Sequence, residues 1–191
     1  MPRQSDSRQR MLQAAGRLFQ RQGYAATGWR QVVAEGSAPW GSQAHFFPGG
    51  KDQLAAEALA AEGERLRREI ATALARLHPA DMISAWADMA ARQLEASDWA
   101  EGCPIATAAL ERAHLSDAVG DACHGALASW VEAFADAMVA RGADAGDARV
   151  LATVVVAGME GGLLMARSAR QAAPLATVAA ELAGLVRARV P

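Results

Sequence analysis

The chain has 191 residues, 52% of them hydrophobic and 21% charged, which is enough apolar surface to bury a sizeable core and too much for a disordered chain. Its formal net charge is −2, but residues 1–53 hold seven basic groups (Arg3, Arg8, Arg10, Arg17, Arg21, Arg30, Lys51) against Asp6, Glu35 and Asp52, so a head of +4 precedes a body of −6. A basic head on an acidic body points to a polyanionic partner for the head.

The apolar residues do not alternate, and their spacing together with the abundance of Ala and Leu predicts helices throughout. The first runs from about Asp6 to Gln22, capped by Ser5, Asp6 or Ser7, with Met11, Ala15, Leu18 and Phe19 on one face and Gly23 ending it. Thr27 caps a short second helix, Gly28 to Glu35, with Val32 and Val33 inward. After the turn Gly36-Ser37-Ala38-Pro39, a third short helix spans Trp40 to Phe46 and Pro48-Gly49-Gly50 breaks it.

Lys51 opens a long helix to Leu77, lined by Leu59, Leu66, Ile70, Leu74 and Leu77 and stopped by His78-Pro79. A fifth helix, about Asp81 to Ala96, sets Met82, Trp86, Met89 and Gln93 on one stripe. Gly102-Cys103-Pro104 introduces a short helix to about Glu111, and Ser116 to Ala140 follows with Val119, Leu127, Trp130, Val131, Phe134 and Met138 inward. Asp144 to Ala169 is apolar nearly all round, which predicts cover on more than one side. Pro174 opens the last helix, with Leu175, Val178, Leu182, Leu185 and Val186 on one face. The expected fold is all-α, with about nine helices. A three-helix domain, residues 1–50, precedes a helical domain, residues 51–191.

Little else in the chain suggests chemistry. Cys103 and Cys123 have no metal spacing, and His45, His78, His114 and His124 form no ligand pair one turn apart. No nucleophile elbow, phosphate loop or dinucleotide fingerprint occurs, so no catalytic, metal or cofactor site is expected. Glu160, inside an apolar helix, is the one residue an enzyme could use. The N-terminus lacks an apolar signal region, and the most apolar stretch, Leu151–Ala166, is short for a membrane span. Reduced thiols and a cytoplasmic location, with no membrane partner, are therefore expected.

Three short helices in about fifty residues, the last two joined by a four-residue turn, make a helix-turn-helix. A helix of seven residues is about 10 Å long and fits a major groove about 12 Å wide. Trp40, Ser42, Gln43 and His45 then lie near base edges and phosphates, with Arg30 and the start of the second helix at Thr27 beside the backbone. Lys51, the only lysine, stands at a helix start, where its charge opposes the macrodipole unless a phosphate lies opposite.

Ala14-Ala15, Leu18-Phe19, Gly23-Tyr24, Thr27 and Phe47-Pro48-Gly49-Gly50-Lys51-Asp52-Gln53-Leu54 together resemble the DNA-binding domain of the TetR family. Gly102-Cys103-Pro104-Ile105-Ala106, Glu160-Gly161-Gly162-Leu163-Leu164-Met165-Ala166-Arg167 and Pro174-Leu175 look like its LmrA/YxaF-type subgroup. The resemblance implies a homodimer, a double-stranded operator with two-fold symmetry and a small-molecule inducer bound in the C-terminal domain. The chain departs from the family pattern at Ser37, where a Gly is usual, at Trp40, where a Lys is frequent, and at Gln43-Ala44, where Leu-Tyr is usual.

The inducer pocket is expected among Met82, Trp86, Met89, Trp99, Cys103, Trp130, Phe134 and Met138. Their adaptable thioethers and flat rings suit a hydrophobic ligand, with Glu160 as polar anchor. The dimer interface is expected at Gly158, Gly161, Gly162 and Met165 with Leu175, Leu182 and Leu185 of the last helix, since small residues let a second helix approach closely. The alternative is a helical interaction module that binds no DNA, or a small all-α enzyme using Glu160.

Overall fold

The computed structural model describes residues 4–191. Arg3, counted in the basic head, lies outside them, as does the side chain of Ser5, a candidate cap. Nine α-helices occupy the described residues: α1 Gln4–Ala26, α2 Trp29–Glu35, α3 Ser42–Phe46, α4 Gly50–Leu74, α5 Pro79–Ala96, α6 Pro104–Arg112, α7 Asp117–Val139, α8 Ala145–Ala169 and α9 Ala173–Arg187. A 3₁₀ turn, Ala113–Leu115, joins α6 to α7, and no strand occurs among the described residues. Two compact units result. The first combines the residues up to Gly63 with Cys103–Ala126, and the second combines Glu64–Gly102 with Leu127–Pro191. This division differs from a boundary at residue 50, because α6 packs along α1.

In the first unit Met11, Ala15, Leu18 and Phe19 of α1 are buried with Val32, Val33, Phe47, Leu54 and Leu59. The regular part of α1 ends at Gly23, whose φ of +83° is open to glycine and strained for other residues. A Cβ there would also collide with the Glu111 carboxylate of α6.

The second unit corrects three expectations. Helix α4 ends at Leu74 and leaves Leu77 exposed, because Arg141 donates to the carbonyls of Leu74 (3.1 Å) and Leu77 (2.7 Å) and closes the helix from a distant segment. Helix α5 begins at Pro79, capped by the His78 ring, which accepts from the Ala80 amide at 3.2 Å. Its buried arc centres on Ile83, Ala87 and Leu94, roughly a quarter turn from the expected stripe. Met82 and Trp86 fall at the edge of that arc, while Met89 and Gln93 lie outside it and are exposed.

Helix α8 is long and apolar enough to cross a membrane by composition alone. One of its faces is buried through Leu151, Val155, Val156 and Met159, and α8 packs on α9. Gly158 and Gly162 make that packing close. A Cβ on Gly162 would lie 3.1 Å from Leu175 Cδ1 and 3.3 Å from Val178 Cβ, and one on Gly158 would lie 2.9 Å from Leu182 Cδ1. Gly162→Leu therefore forces α8 and α9 apart within one chain, and a loss of about 2 kcal/mol is expected, read as a lower midpoint in urea unfolding. An unchanged midpoint would show that α9 yields without strain.

Candidate nucleic-acid interface

The interface is built on α2, α3 and the turn between them. The cap of α2 is Gly28 rather than Thr27: the Gly28 amide donates to Gln31 Oε1 at 2.9 Å. Thr27 is buried, with its hydroxyl donating to the Gly23 carbonyl (2.7 Å) and its amide to Tyr24 O (3.2 Å), so it braces the break after α1 and faces no solvent. Arg30 is exposed.

The order Gly36-Ser37 has a physical reason. Gly36 is in ordinary right-handed geometry, and its small size matters instead: a Cβ would lie 3.0 Å from Val32 O and 3.2 Å from Met11 Cα. Ser37 takes the left-handed conformation at φ +46°, which costs a non-glycine residue roughly 1 kcal/mol. Arg10 offsets that strain by donating to the carbonyls of Gly36 (2.9 Å) and Ser37 (3.2 Å).

Helix α3 is shorter than expected, starting at Ser42 after Gly41 at φ +97°. Two of the polar residues expected at base edges, Ser42 and Gln43, turn back on the helix start. Ser42 Oγ donates to Pro39 O at 2.7 Å, and Gln43 Oε1 accepts from the Gly41 amide at 2.7 Å. The exposed positions from the turn into α3 are Ser37, Pro39, Trp40 (65% exposed), Gly41, Ala44 and His45.

Beside this surface is a polar cluster that the sequence did not reveal. Tyr24 donates its hydroxyl to Asp52, and Arg112 grips the same carboxylate with two bonds of 3.0 and 2.7 Å. Lys51 Nζ sits 4.0 Å from the centre of the Tyr24 ring, which gives this lysine a partner inside the chain. Glu111 accepts the Ala25 amide at 2.8 Å. The Arg112 guanidinium above all, helped by the Tyr24 and Ser116 hydroxyls, holds the Asp52 carboxyl at about 2. Burial, then the bond to Asp52, pushes the Tyr24 phenol up to about 12. Burial also lowers the Lys51 ammonium from its ordinary value, against the pull of Glu111.

The residues expected to hold a ligand are in different settings. Met82, Trp86, Trp130, Phe134 and Met138 are buried, with Trp86 stacked on Phe134 at 6.2 Å between ring centres. Glu160 is half-buried on α8. Trp99 is half-buried at φ +65° in the loop after α5, and Arg167 donates to its carbonyl. Cys103 caps α6 through its sulfur.

The fold and its two short helices joined by a tight turn define a helix-turn-helix DNA-binding protein. A family model described as the C-terminal domain of LmrA/YxaF-like transcriptional regulators matches residues 79–181. The HTH-type transcriptional regulator LmrA of Bacillus subtilis is 36% identical over 183 residues, covering 95% of this chain and 97% of that protein. The uncharacterized HTH-type regulator YxaF of the same organism is 34% identical over 188 residues, covering 98% of each. The crystal structure of a TetR transcriptional regulator from Chloroflexus aurantiacus superposes with a TM-score of 0.79 at 28% identity, covering 100% of this chain and 98% of that one. The chain therefore belongs to the TetR family of transcriptional regulators, in its LmrA/YxaF-like group, and is a DNA-binding regulator.

The Asp52 cluster has a pH signature. A carboxyl held near 2 in the folded chain, against about 3.9 unfolded, stabilises fully above about pH 4 and loses that contribution as pH falls towards 2. In urea titrations the stability gap between wild type and Asp52→Asn should be constant above pH 5 and close as pH drops from 4 to 2. A gap independent of pH would show that the charge of Asp52 is immaterial.

Proposed function

We propose that the chain is a homodimeric repressor in the cytoplasm that binds a palindromic operator and is released from it by a small hydrophobic inducer. The observation that carries this reading is the exposed surface of α3 and its preceding turn, held open on a braced scaffold. A two-fold dimer would present two such surfaces to successive major grooves, with half-sites about one helical turn apart or slightly more. Lys51 contributes a phosphate contact, its ammonium poised on the Tyr24 ring, and Arg30 is a second. His45 supplies the polar contact to a base.

Selection of bound sequences from a random duplex pool should return a palindrome. Lys51→Ala should then weaken binding to all duplexes about equally and lower the salt slope by about one, because a phosphate contact holds no base information. A His45 substitution should instead change the selected sequence. An unchanged salt slope in Lys51→Ala would remove that phosphate contact.

The dimer reading rests on the second face of α8. Val150 (63% exposed), Val154, Gly161, Leu164 (62%) and Met165 (57%) recur at helical spacing along it. Of the residues expected at the interface, Gly161 and Met165 lie on this open face. Gly158, Gly162, Leu175 and Leu182 are occupied by the packing of α8 on α9 inside one chain, and Leu185 is half-buried. The interface is thus centred on Gly161 and Met165. Met165→Glu should give a folded monomer in sedimentation with helical content unchanged, and a persistent dimer would place the interface elsewhere. The inducer is held in the second unit, where Met82 and Met138 can repack beside the Trp86–Phe134 stack around a flat ligand. Glu160 would orient it.

A further inference from the structure

The surface that meets DNA is unusual in its chemistry. Residues 31–50 contain no lysine and no arginine, so α3 and its two flanking turns have no basic side chain of their own, and the cation bonded to them is Arg10 of α1, on the carbonyls of Gly36 and Ser37. The polar side chains of Ser42 and Gln43 are bonded to Pro39 and Gly41. The exposed residues from this turn into α3 are Ser37, Pro39, Trp40, Gly41, Ala44 and His45, and the largest exposed apolar side chain among them is the Trp40 indole, 65% exposed. The turn that holds the indole is firmly built. Pro39 fixes its own backbone angle, the Ala38 amide donates to Val33 O (3.0 Å), the Ser42 amide to Pro39 O (3.1 Å), and Arg10 clamps Gly36 and Ser37. Next to the indole, Gly41 leaves open space where a Cβ would stand, with no atom within 4 Å. A nucleic-acid surface can therefore come up to the backbone there.

The one apolar feature on the floor of a major groove is the 5-methyl group of thymine. We propose that Trp40 is a specificity-determining residue that reads thymine methyl groups in each half-site. On this account the chain recognises its operator partly through apolar contact. A braced backbone and a side chain with only two rotatable bonds keep the ordering cost of such a contact small.

The test uses the full-length wild type, Trp40→Ala and Trp40→Lys on the selected operator, on a random duplex, and on operators with each thymine replaced singly by uracil, which lacks only the methyl. Wild type should lose roughly fourfold at one or two thymines per half-site, the worth of a buried methyl group. Trp40→Ala should bind the operator about tenfold more weakly, the scale of one lost base contact, with random-duplex affinity and unfolding midpoint unchanged. It should no longer distinguish uracil from thymine at those positions. Trp40→Lys should recover affinity, steepen the salt slope by about one and stay blind to uracil. The inference is overturned if Trp40→Ala binds the operator within twofold of wild type, if it loses equally on both duplexes, or if it keeps the full uracil penalty. A wild type that binds neither duplex would instead strike at the DNA-binding reading on which the inference rests.

Discussion

Two adjacent side chains on α6, Glu111 and Arg112, hold the head of the first unit together. Glu111 accepts the Ala25 amide and occupies the volume that a side chain at position 23 would need. Arg112 grips Asp52, Asp52 accepts from Tyr24, and the Tyr24 ring supports Lys51. The Arg112–Asp52 pair is about 29% and 28% exposed, so water screens it less than an ordinary surface pair. Through these contacts α6 fixes both the break that starts α2 and the first turn of α4. A shift of α6 would disturb both at once.

Much of the helix pattern was legible because it rests on local chemistry. Gly23 ends regular helix through its positive φ, and Pro174 lies in the first turn of α9. Errors arose where a distant residue decides. Arg141 bonds the end of α4 from 67 positions away, so periodicity alone carried the helix on to Leu77. The spacing of Met82, Trp86 and Met89 is truly helical, but spacing shows a stripe without showing where the core lies. The centre of the buried arc on α5 was displaced, and Met89 was left in solvent. Gly158 and Gly162 of α8 are sites of close approach and Gly161 is open, but nothing in the sequence distinguishes a neighbour in the same subunit from one in another. The Glu111–Arg112 clasp had no local signal, since only the fold brings position 111 to position 25.

The reversed Gly36-Ser37 order shows how two demands divide between neighbours. The close approach of α1 requires the absence of a Cβ at position 36, while the turn requires a positive φ at position 37. A glycine at each place would meet both demands with less backbone strain and more freedom in the unfolded chain. The chain keeps the glycine where the steric conflict is with backbone atoms, which cannot move aside, and accepts dihedral strain where Arg10 can bond the carbonyls on either side.

Composition alone also overstated the charge of the head. Residues 1–53 hold +4, but the unit they fold into takes in Glu57, Glu62, Glu111, Asp117 and Asp121 against Arg112 alone, and so it is formally neutral. Several of its cations are engaged inside the chain: Arg8 pairs with Glu57, Arg10 bonds the turn, and Arg112 holds Asp52. Long-range attraction to DNA is weak for a neutral unit. On the proposed reading, discrimination between sequences then depends on close contact at the base edges by the braced turn before α3.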